Sequence, residues 1–433
     1  MGVISISHRI ELCANNKFKT YCRQAFGVAR LSYNWAIARL KQAIDKKEKI
    51  DFYAFKKEFN ALKATEFPFV YDVTKYACQQ PFLFAKRAFD SWSKTRKKGK
   101  KVGFPKFKKK SYTTGSFYLG GDAVEIRRNQ SNSKKITSEQ TSNHQYLKVP
   151  NFGWVKMRED LRFEGHINSC TISQEGDKFY ASFSMQITEA EYERTHKKPE
   201  QYETAGGFDL GIKHAVTTSE EIQVDSPKPL GKILKRLKRE QRKLSRRVHP
   251  KAKGDKTACS KRYLKQQKRV NRIYRKSRCC RKDFIEKLTT VLIRHFEYVT
   301  VEHLIVRGMM ANHKLARALS DIGFYAIRSR LETKAAQLRR MVVLADTFYP
   351  SSKTCSRCGH VKKELSLGER TYKCEECGLV MDRDVNAAMN LKKLATEALG
   401  GVTTEVKPVD RTALLADLAI NQLTTSRVEA GTR

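Results

Sequence analysis

Two kinds of ligand chemistry crowd into one stretch near the C-terminus of this 433-residue chain. Cys355-Ser-Arg-Cys358 is followed, fifteen residues later, by Cys374-Glu-Glu-Cys377-Gly378 and then by Asp382-Arg-Asp384-Val-Asn386-Ala-Ala. Each Cys-x-x-Cys pair can bring two thiolates to one ion while backbone amides donate to the sulfurs. Two such pairs close a tetrahedral Zn–S4 site with no open position, so the predicted metal is structural. A redox dithiol is the alternative for one pair alone, and two knuckles at this separation argue against it.

Three carboxylates carry the second chemistry. Asp209 sits mid-strand in Gly206-Gly-Phe-Asp209-Leu-Gly211, where an unpaired charge is costly without a metal or a cation. Glu302 ends the apolar, β-branched run Tyr298-Val-Thr-Val-Glu302. Asp384 opens an amphipathic helix whose dipole start favours an anion. Phosphodiester hydrolysis by two metal ions needs such a cluster of acidic ligands, one ion activating a water and the other stabilising the departing oxygen. Each residue also has an ordinary reading: Asp209 as a turn residue, Glu302 as a strand end, Asp384 as an N-cap. Taken together and in this order, with the cysteines between the second and third, they read as an RNase-H-like metal site.

The elements that must position these residues are legible in the hydropathy pattern. Residues 3–12 alternate as a strand, and Phe26, Tyr33, Ile37, Leu40 and Ile44 mark a helix face. Residues 167–173 and 179–187 flank Gln174-Glu-Gly-Asp177 as a hairpin. A domain boundary is expected at 188–204, and α/β patterning follows it. Two basic helices are expected around a loop at 249–255. A strand is expected at 298–304, a helix through Phe324, Ile327, Leu331, Ala335 and Leu338, a strand at 341–345 and a helix over 384–397.

The charge points to the partner. Lys and Arg number 86 against 45 Asp and Glu, a net +41 that calls for a polyanion such as a phosphate backbone. Residues 94–110 carry ten basic side chains and no acid, with Phe104 and Phe107 interleaved. Residues 232–282 carry 23 basic side chains against Glu240 and Asp255. Lys97, Lys98, Lys106, Lys108, Arg239, Arg242, Arg246 and Arg272 are the predicted nucleic-acid contacts. No apolar run approaches eighteen residues, so no membrane partner is expected. The N-terminus lacks signal-peptide character, and seven further cysteines without framework spacing fit a reducing cytosol.

Gly206-Gly-Phe-Asp209-Leu-Gly-Ile-Lys, Val301-Glu302-His-Leu, Pro350-Ser-Ser-Lys-Thr-Cys355-Ser-Arg-Cys358-Gly and Asp382-Arg-Asp384-Val-Asn386-Ala-Ala-Met-Asn390 together resemble the RuvC and zinc-ribbon signatures of the TnpB family. The likeness extends upstream through Tyr33-Asn-Trp35, Gly103-Phe-Pro-Lys-Phe107, Pro150-Asn-Phe-Gly-Trp154 and Gln241-Arg-Lys-Leu-Ser245-Arg. TnpB proteins are transposon-encoded RNA-guided DNA endonucleases, ancestral to the type V CRISPR effectors. The resemblance implies a multidomain α+β chain with a RuvC/RNase-H-like α/β nuclease core at 204–350 and 379–397 and an inserted four-cysteine zinc ribbon at 351–378. It further implies a wedge-like β-barrel at 1–15 and 105–203 and a helical recognition lobe at 16–104. The likeness does not reach the C-terminal segment at 398–433, where the sequence allows a weak helix at 411–422 and is otherwise expected to form a mobile tail.

By the same resemblance, the chain takes an element-derived guide RNA and double-stranded target DNA, recognises a target-adjacent motif, and acts as a monomer in a bacterial or archaeal cytoplasm near the nucleoid. It implies cleavage at one site by Asp209, Glu302 and Asp384 with two Mg²⁺ ions, for which Mn²⁺ can substitute, and structural Zn²⁺ on Cys355, Cys358, Cys374 and Cys377. Asp384 is preferred to Asp382 because it directly precedes Val385-Asn386-Ala-Ala. Three rival readings stand: a nuclease-inactive RNA-guided repressor, a miniature CRISPR effector, and a non-catalytic zinc-ribbon RNA-binding protein. A DNA-strand transposase lacks its His-x-His pattern here.

Overall fold

A computed structural model describes residues 2–111, 114–128, 144–195, 204–250, 255, 257–366, 368–397 and 407–427. The polar low-complexity stretch at 128–145, whose composition predicts a surface loop, lies almost wholly outside them. Two compact units divide the chain, Met1–Lys197 and Lys198–Arg433.

The first unit begins with strand β1 (Val3–Leu12), whose alternating pattern buries Ile10 and Leu12. Helices α1 (Asn16–Asp45), α2 (Phe52–Leu62) and α3 (Lys75–Lys97) follow, α1 being capped where Asn15 Oδ1 accepts from Phe18 N–H at 2.8 Å. Strands β2 (Thr114–Gly120), β3 (Glu125–Arg128), β4 (Gln145–Val149), β5 (Gly153–Lys156), β6 (His166–Glu175) and β7 (Lys178–Thr188) complete the β framework, and α4 (Glu189–Thr195) follows them. One antiparallel sheet runs β1-β7-β6-β2 and a second runs β3-β4-β5. A bridge between Leu12 and Met157 ties the end of β1 to the chain just beyond β5. Phe18 and Phe26 of α1 pack on Phe179 of β7, so the helices share one core with the strands. Ile44, predicted as part of the buried helix face, is 39% exposed at the end of α1.

The second unit is built on a six-stranded sheet with the order β12-β11-β8-β9-β10-β15. Strands β8 (Ala205–Asp209), β9 (Val216–Thr218) and β10 (Ile222–Val224) run antiparallel to one another. Strands β11 (Tyr298–Glu302) and β12 (Met341–Ala345) run parallel to β8. The basic helices α5 (Pro229–Ser245) and α6 (Lys261–His295) separate the two halves of the sheet in sequence, and α6 is one continuous helix through the predicted second basic segment. Short helices α7 (Val306–Met309) and α8 (Ala316–Ile322) lead to α9 (Phe324–Gln337), whose face is the predicted one. The two-stranded ribbon β13 (Thr371–Lys373) and β14 (Val380–Asp382) then runs straight into α10 (Arg383–Glu397).

Of the two expectations for the C-terminal segment, the helix at 411–422 is the one that the described residues 407–427 match. Helix α11 (Arg411–Ile420) buries Leu414 and Leu418 completely and packs on α6, where His295 Nε2 meets Asp417 Oδ2 at 2.9 Å. Strand β15 (Thr425–Arg427) then pairs with β10 and covers the sheet edge. Spacing Leu414 and Leu418 four apart puts both on one helical face, and that face belongs to the core. Among the described residues no helix is long and apolar enough to cross a membrane.

Candidate active site

The Gly-Gly-Phe-Asp run of β8 is a strand with two different faces. Gly206 and Phe208 point one way, where the Phe208 ring meets Phe296 at 5.0 Å and a Cβ on Gly206 would strike the same phenyl ring. Gly207 and Asp209 point the other way, against α10. A Cβ on Gly207 would lie 2.0 Å from Ala388 O and 2.4 Å from Lys392 N, so only glycine lets the helix lie this close to the strand. Gly207→Ala is therefore expected to cost about 1–3 kcal/mol and to lift α10 from the sheet. A thermal melt and a cleavage assay check this, and wild-type values in both would refute the packing argument.

The parallel register sets Val301 beside Phe208, so Glu302 of β11 follows beside Asp209 of β8. Asp384 stands in the first turn of α10, the helix that crosses this face. Burial raises the Asp209 pKa well above the ordinary aspartate range, and the charges of Glu302 and Asp384 push it further the same way. Burial likewise raises Glu302; a hydrogen bond from Ser351 Oγ at 2.7 Å opposes that rise, and Asp384 adds to it. Among the described residues no hydrogen-bond donor meets the Asp209 carboxylate.

The structure also separates the two neighbouring aspartates. Asp382 closes β14, and its Oδ1 accepts from Asp384 N–H at 2.9 Å and Val385 N–H at 3.1 Å, which makes it the cap of α10. Asp384 carries no capping duty. Its carboxylate pairs with Arg383 at 3.0 Å and with Arg370 of the ribbon at 3.6 Å. The three acids feel one another's charge, but their oxygens do not share the tight cluster that the four thiols form. Three carboxylates, one of them buried without a donor, have the oxygen chemistry that suits a hard divalent cation such as Mg²⁺.

The thiols of Cys355, Cys358, Cys374 and Cys377 all lie within 4.8 Å of one another. Cys355 Sγ to Cys377 Sγ and Cys358 Sγ to Cys374 Sγ are both 3.6 Å. Sulfurs bound tetrahedrally to zinc at about 2.3 Å stand roughly 3.8 Å apart, so the set fits that ion. Gly359 at φ +80° and Gly378 at φ +68° turn each knuckle through the left-handed region. Burial pushes the Cys355 thiol up, yet the amides of Cys358 and Arg357 and the neighbouring thiols bring it down to about 7. The amide of Cys377 likewise holds the Cys374 thiol below its ordinary value.

Two asparagines that sequence reasoning quoted without a role bind this module to α10. Asn386 Nδ2 donates to Thr354 O at 2.7 Å while its Oδ1 accepts from Ser356 N–H at 2.9 Å. Asn390 Nδ2 donates to Thr354 O at 2.7 Å and to Ser351 O at 2.8 Å. Both are buried. Their spacing of four, and amides able to donate and accept at once, were the available signal.

The predicted nucleic-acid contacts fall in two places. In the second unit, α5 and α6 meet along Leu237, Val270 and Ile273, which leaves Arg239, Arg242, Arg246 and Arg272 on exposed positions. The acid among them, Glu240, is buried and held by Gln266 Nε2 at 2.8 Å. In the first unit, Lys97 ends α3, Lys98 caps it, and Lys106 lines a shallow cavity of about 590 Å³ with Lys41 and Phe107. Lys108 is exposed, with its ammonium 4.1 Å from the centre of the Tyr33 ring. Of two aromatics in the first unit whose side chains could stack on bases, Trp92 packs between Phe89 and Phe104, whereas Tyr53 is 79% exposed.

Three family profiles match the chain. One described as "Cas12f1-like, TNB domain" covers 324–391, one described as "Probable transposase" covers 186–313, and one described as "Helix-turn-helix domain" covers 1–49. Over that last span the chain forms β1 and the single helix α1. A Streptomyces pristinaespiralis protein named "Putative RNA-guided DNA endonuclease" is 30% identical over 382 residues, spanning 87% of this chain and 86% of the relative. An Escherichia coli protein of the same description is 26% identical, spanning 85% of this chain and 87% of its own. A TnpB-like protein of Acanthamoeba polyphaga mimivirus is 28% identical over 195 residues, spanning 43% of this chain and 36% of its own.

Proposed function

The chain belongs to the TnpB family of RNA-guided DNA endonucleases, and from that premise we propose that it cuts DNA at one carboxylate site made by Asp209, Glu302 and Asp384. The observation that carries this reading is the convergence of three distant acids on one face of the sheet. Asp209 lies at the end of β8, Glu302 beside it at the end of β11, and Asp384 at the start of the helix that crosses both. The strand order, three antiparallel strands followed by two parallel to the first, supports an RNase-H-like core of the RuvC kind.

In this reading the three carboxylates hold two Mg²⁺ ions, which when bound supply a nucleophile at neutral pH and stabilise charge on the leaving oxygen. Asp209 provides a buried carboxylate whose raised pKa reflects a place prepared for positive charge. Ser351 fixes Glu302, and Asp382 frees Asp384 from capping the helix. The ribbon at 351–378 holds zinc and braces α10. The first unit is read as a wedge-like barrel carrying its helices as a recognition lobe. The basic faces at 94–110 and on α5 and α6 grip the backbone of the guide RNA and of its duplex with target DNA. Base pairing reads the sequence and the protein reads phosphate and shape.

The test begins with the RNA that co-purifies with the full chain from its native host. One discrete species with a fixed scaffold and a short variable end is expected, and a guide cloned to match a plasmid is expected to direct Mg²⁺-dependent cutting there. Random cellular RNA, with no programmable cutting, would move the assignment to a non-catalytic RNA-binding protein.

A further inference from the structure

Ser351 touches the nuclease site from outside the predicted ligand set. It is 3% exposed, its Oγ donates to Glu302 Oε1 at 2.7 Å, and its own N–H is held by Tyr349 O at 2.8 Å. Its carbonyl accepts from Asn390, which also reaches Thr354 O, the oxygen shared with Asn386. Thr354 and Ser356 flank Cys355, the first zinc-site thiol. One short segment therefore contacts Glu302 at one end, carries a zinc-site thiol at the other, and is pinned between them to the helix that begins beside Asp384.

We propose that Ser351 is a positioning residue for the nuclease metals, holding the Glu302 carboxylate in its ligating orientation, with Asn386 and Asn390 fixing Ser351 to α10. The inference rests on the reading of Glu302 as a metal ligand. The terminal torsion of a glutamate is broad and roughly two-fold, so an unheld carboxylate must be ordered when an ion arrives. A hydroxyl donating to one oxygen removes that freedom beforehand and leaves the second oxygen's lone pairs for the ion. Asparagine is required at 386 because its amide donates to Thr354 O and accepts from Ser356 N–H at once. An aspartate there would set oxygen against oxygen.

The test uses the full chain with its co-purified RNA and compares Ser351→Ala, Ser351→Thr and Ser351→Val. Thr and Val match in shape and differ by the hydroxyl. Mn²⁺ binding is followed by electron paramagnetic resonance, and the ions held by RNA are subtracted with the Asp209→Ala complex. The expected result is an Mn²⁺ dissociation constant about 10–100-fold weaker in the Ala and Val variants, with Thr near wild type. The Mg²⁺ concentration for half-maximal cleavage should rise with it, while the zinc content stays near wild type. If Val behaves as Thr does while Glu302→Gln weakens Mn²⁺ binding, the positioning role is overturned and the active-site reading survives. If Glu302→Gln also leaves Mn²⁺ binding unchanged, the active-site reading falls and takes this inference with it.

Discussion

Asp209→Asn is expected to abolish metal-dependent DNA cleavage, by on the order of a thousand-fold or more, while making the metal-free protein more stable. The first effect follows from removing an anionic ligand from a site whose chemistry depends on holding divalent cations. The second follows from the raised pKa. Asp209 is buried and faces Glu302 and Asp384, so its proton is bound more tightly in the folded than in the unfolded chain. A group shifted in this direction costs stability as pH rises from the unfolded value near 3.8 through the folded one. At neutral pH the aspartate is a burden that asparagine removes; toward the ordinary aspartate range the difference closes. Melting curves of the zinc-loaded protein without added Mg²⁺ should show the variant above wild type at pH 7 and the gap shrinking as pH falls. Added Mg²⁺ should raise only the wild-type protein. Guide-RNA binding should persist. Cleavage at the wild-type rate would end the assignment of Asp209, and a lower melting temperature at pH 7 would contradict the electrostatic account.

Much of this site was readable because its constraints are local. A Cys-x-x-Cys knuckle needs its spacing and a glycine beyond it, and both are visible at Cys374–Gly378. Strand β11 announces itself through four apolar or β-branched residues before Glu302. Asp209 stood out because charge is improbable inside a strand. What escaped depends on who lies opposite. Gly206 and Gly207 look alike in sequence, yet one makes room for the Phe296 ring and the other for the backbone of α10. Ser351 is an ordinary serine until β11 brings Glu302 to it. Asp382 and Asp384 are both acids at a helix start, and only the hydrogen bonds from Asp384 N–H and Val385 N–H assign the cap. The C-terminal segment is legible only in its helix, for a related reason. Strand β15 pairs with β10 through main-chain groups that leave no side-chain signature, and α11 offers the buried pair Leu414 and Leu418 as its main signal.

Cys374→Ser should lower stability and cleavage together, which sets it apart from Asp209→Asn. The ribbon has little else to hold it: its apolar cluster is Tyr372 and Leu379 with the cysteines themselves. Modules below about 40 residues seldom fold on apolar burial alone, and structural zinc contributes roughly 10–16 kcal/mol of apparent binding energy in zinc-finger peptides. Replacing one thiolate should therefore leave zinc at a small fraction of one ion per chain and expose the backbone of 351–378 to hydrogen exchange. The damage should then pass beyond the ribbon. Asn386 and Asn390 would lose the Thr354 and Ser351 carbonyls, each orphaned buried amide costing about 1–3 kcal/mol, and Glu302 would lose Ser351. No thiol need touch DNA for cleavage to fail, because the segment that carries Cys355 also holds the Glu302 carboxylate of the proposed metal site. Zinc analysis, exchange protection across 351–390 and melting curves measure this directly. A variant free of zinc yet as stable as wild type would show that the metal does not hold the module. One that loses zinc and exchange protection but cuts normally would show that the two sites are mechanically independent.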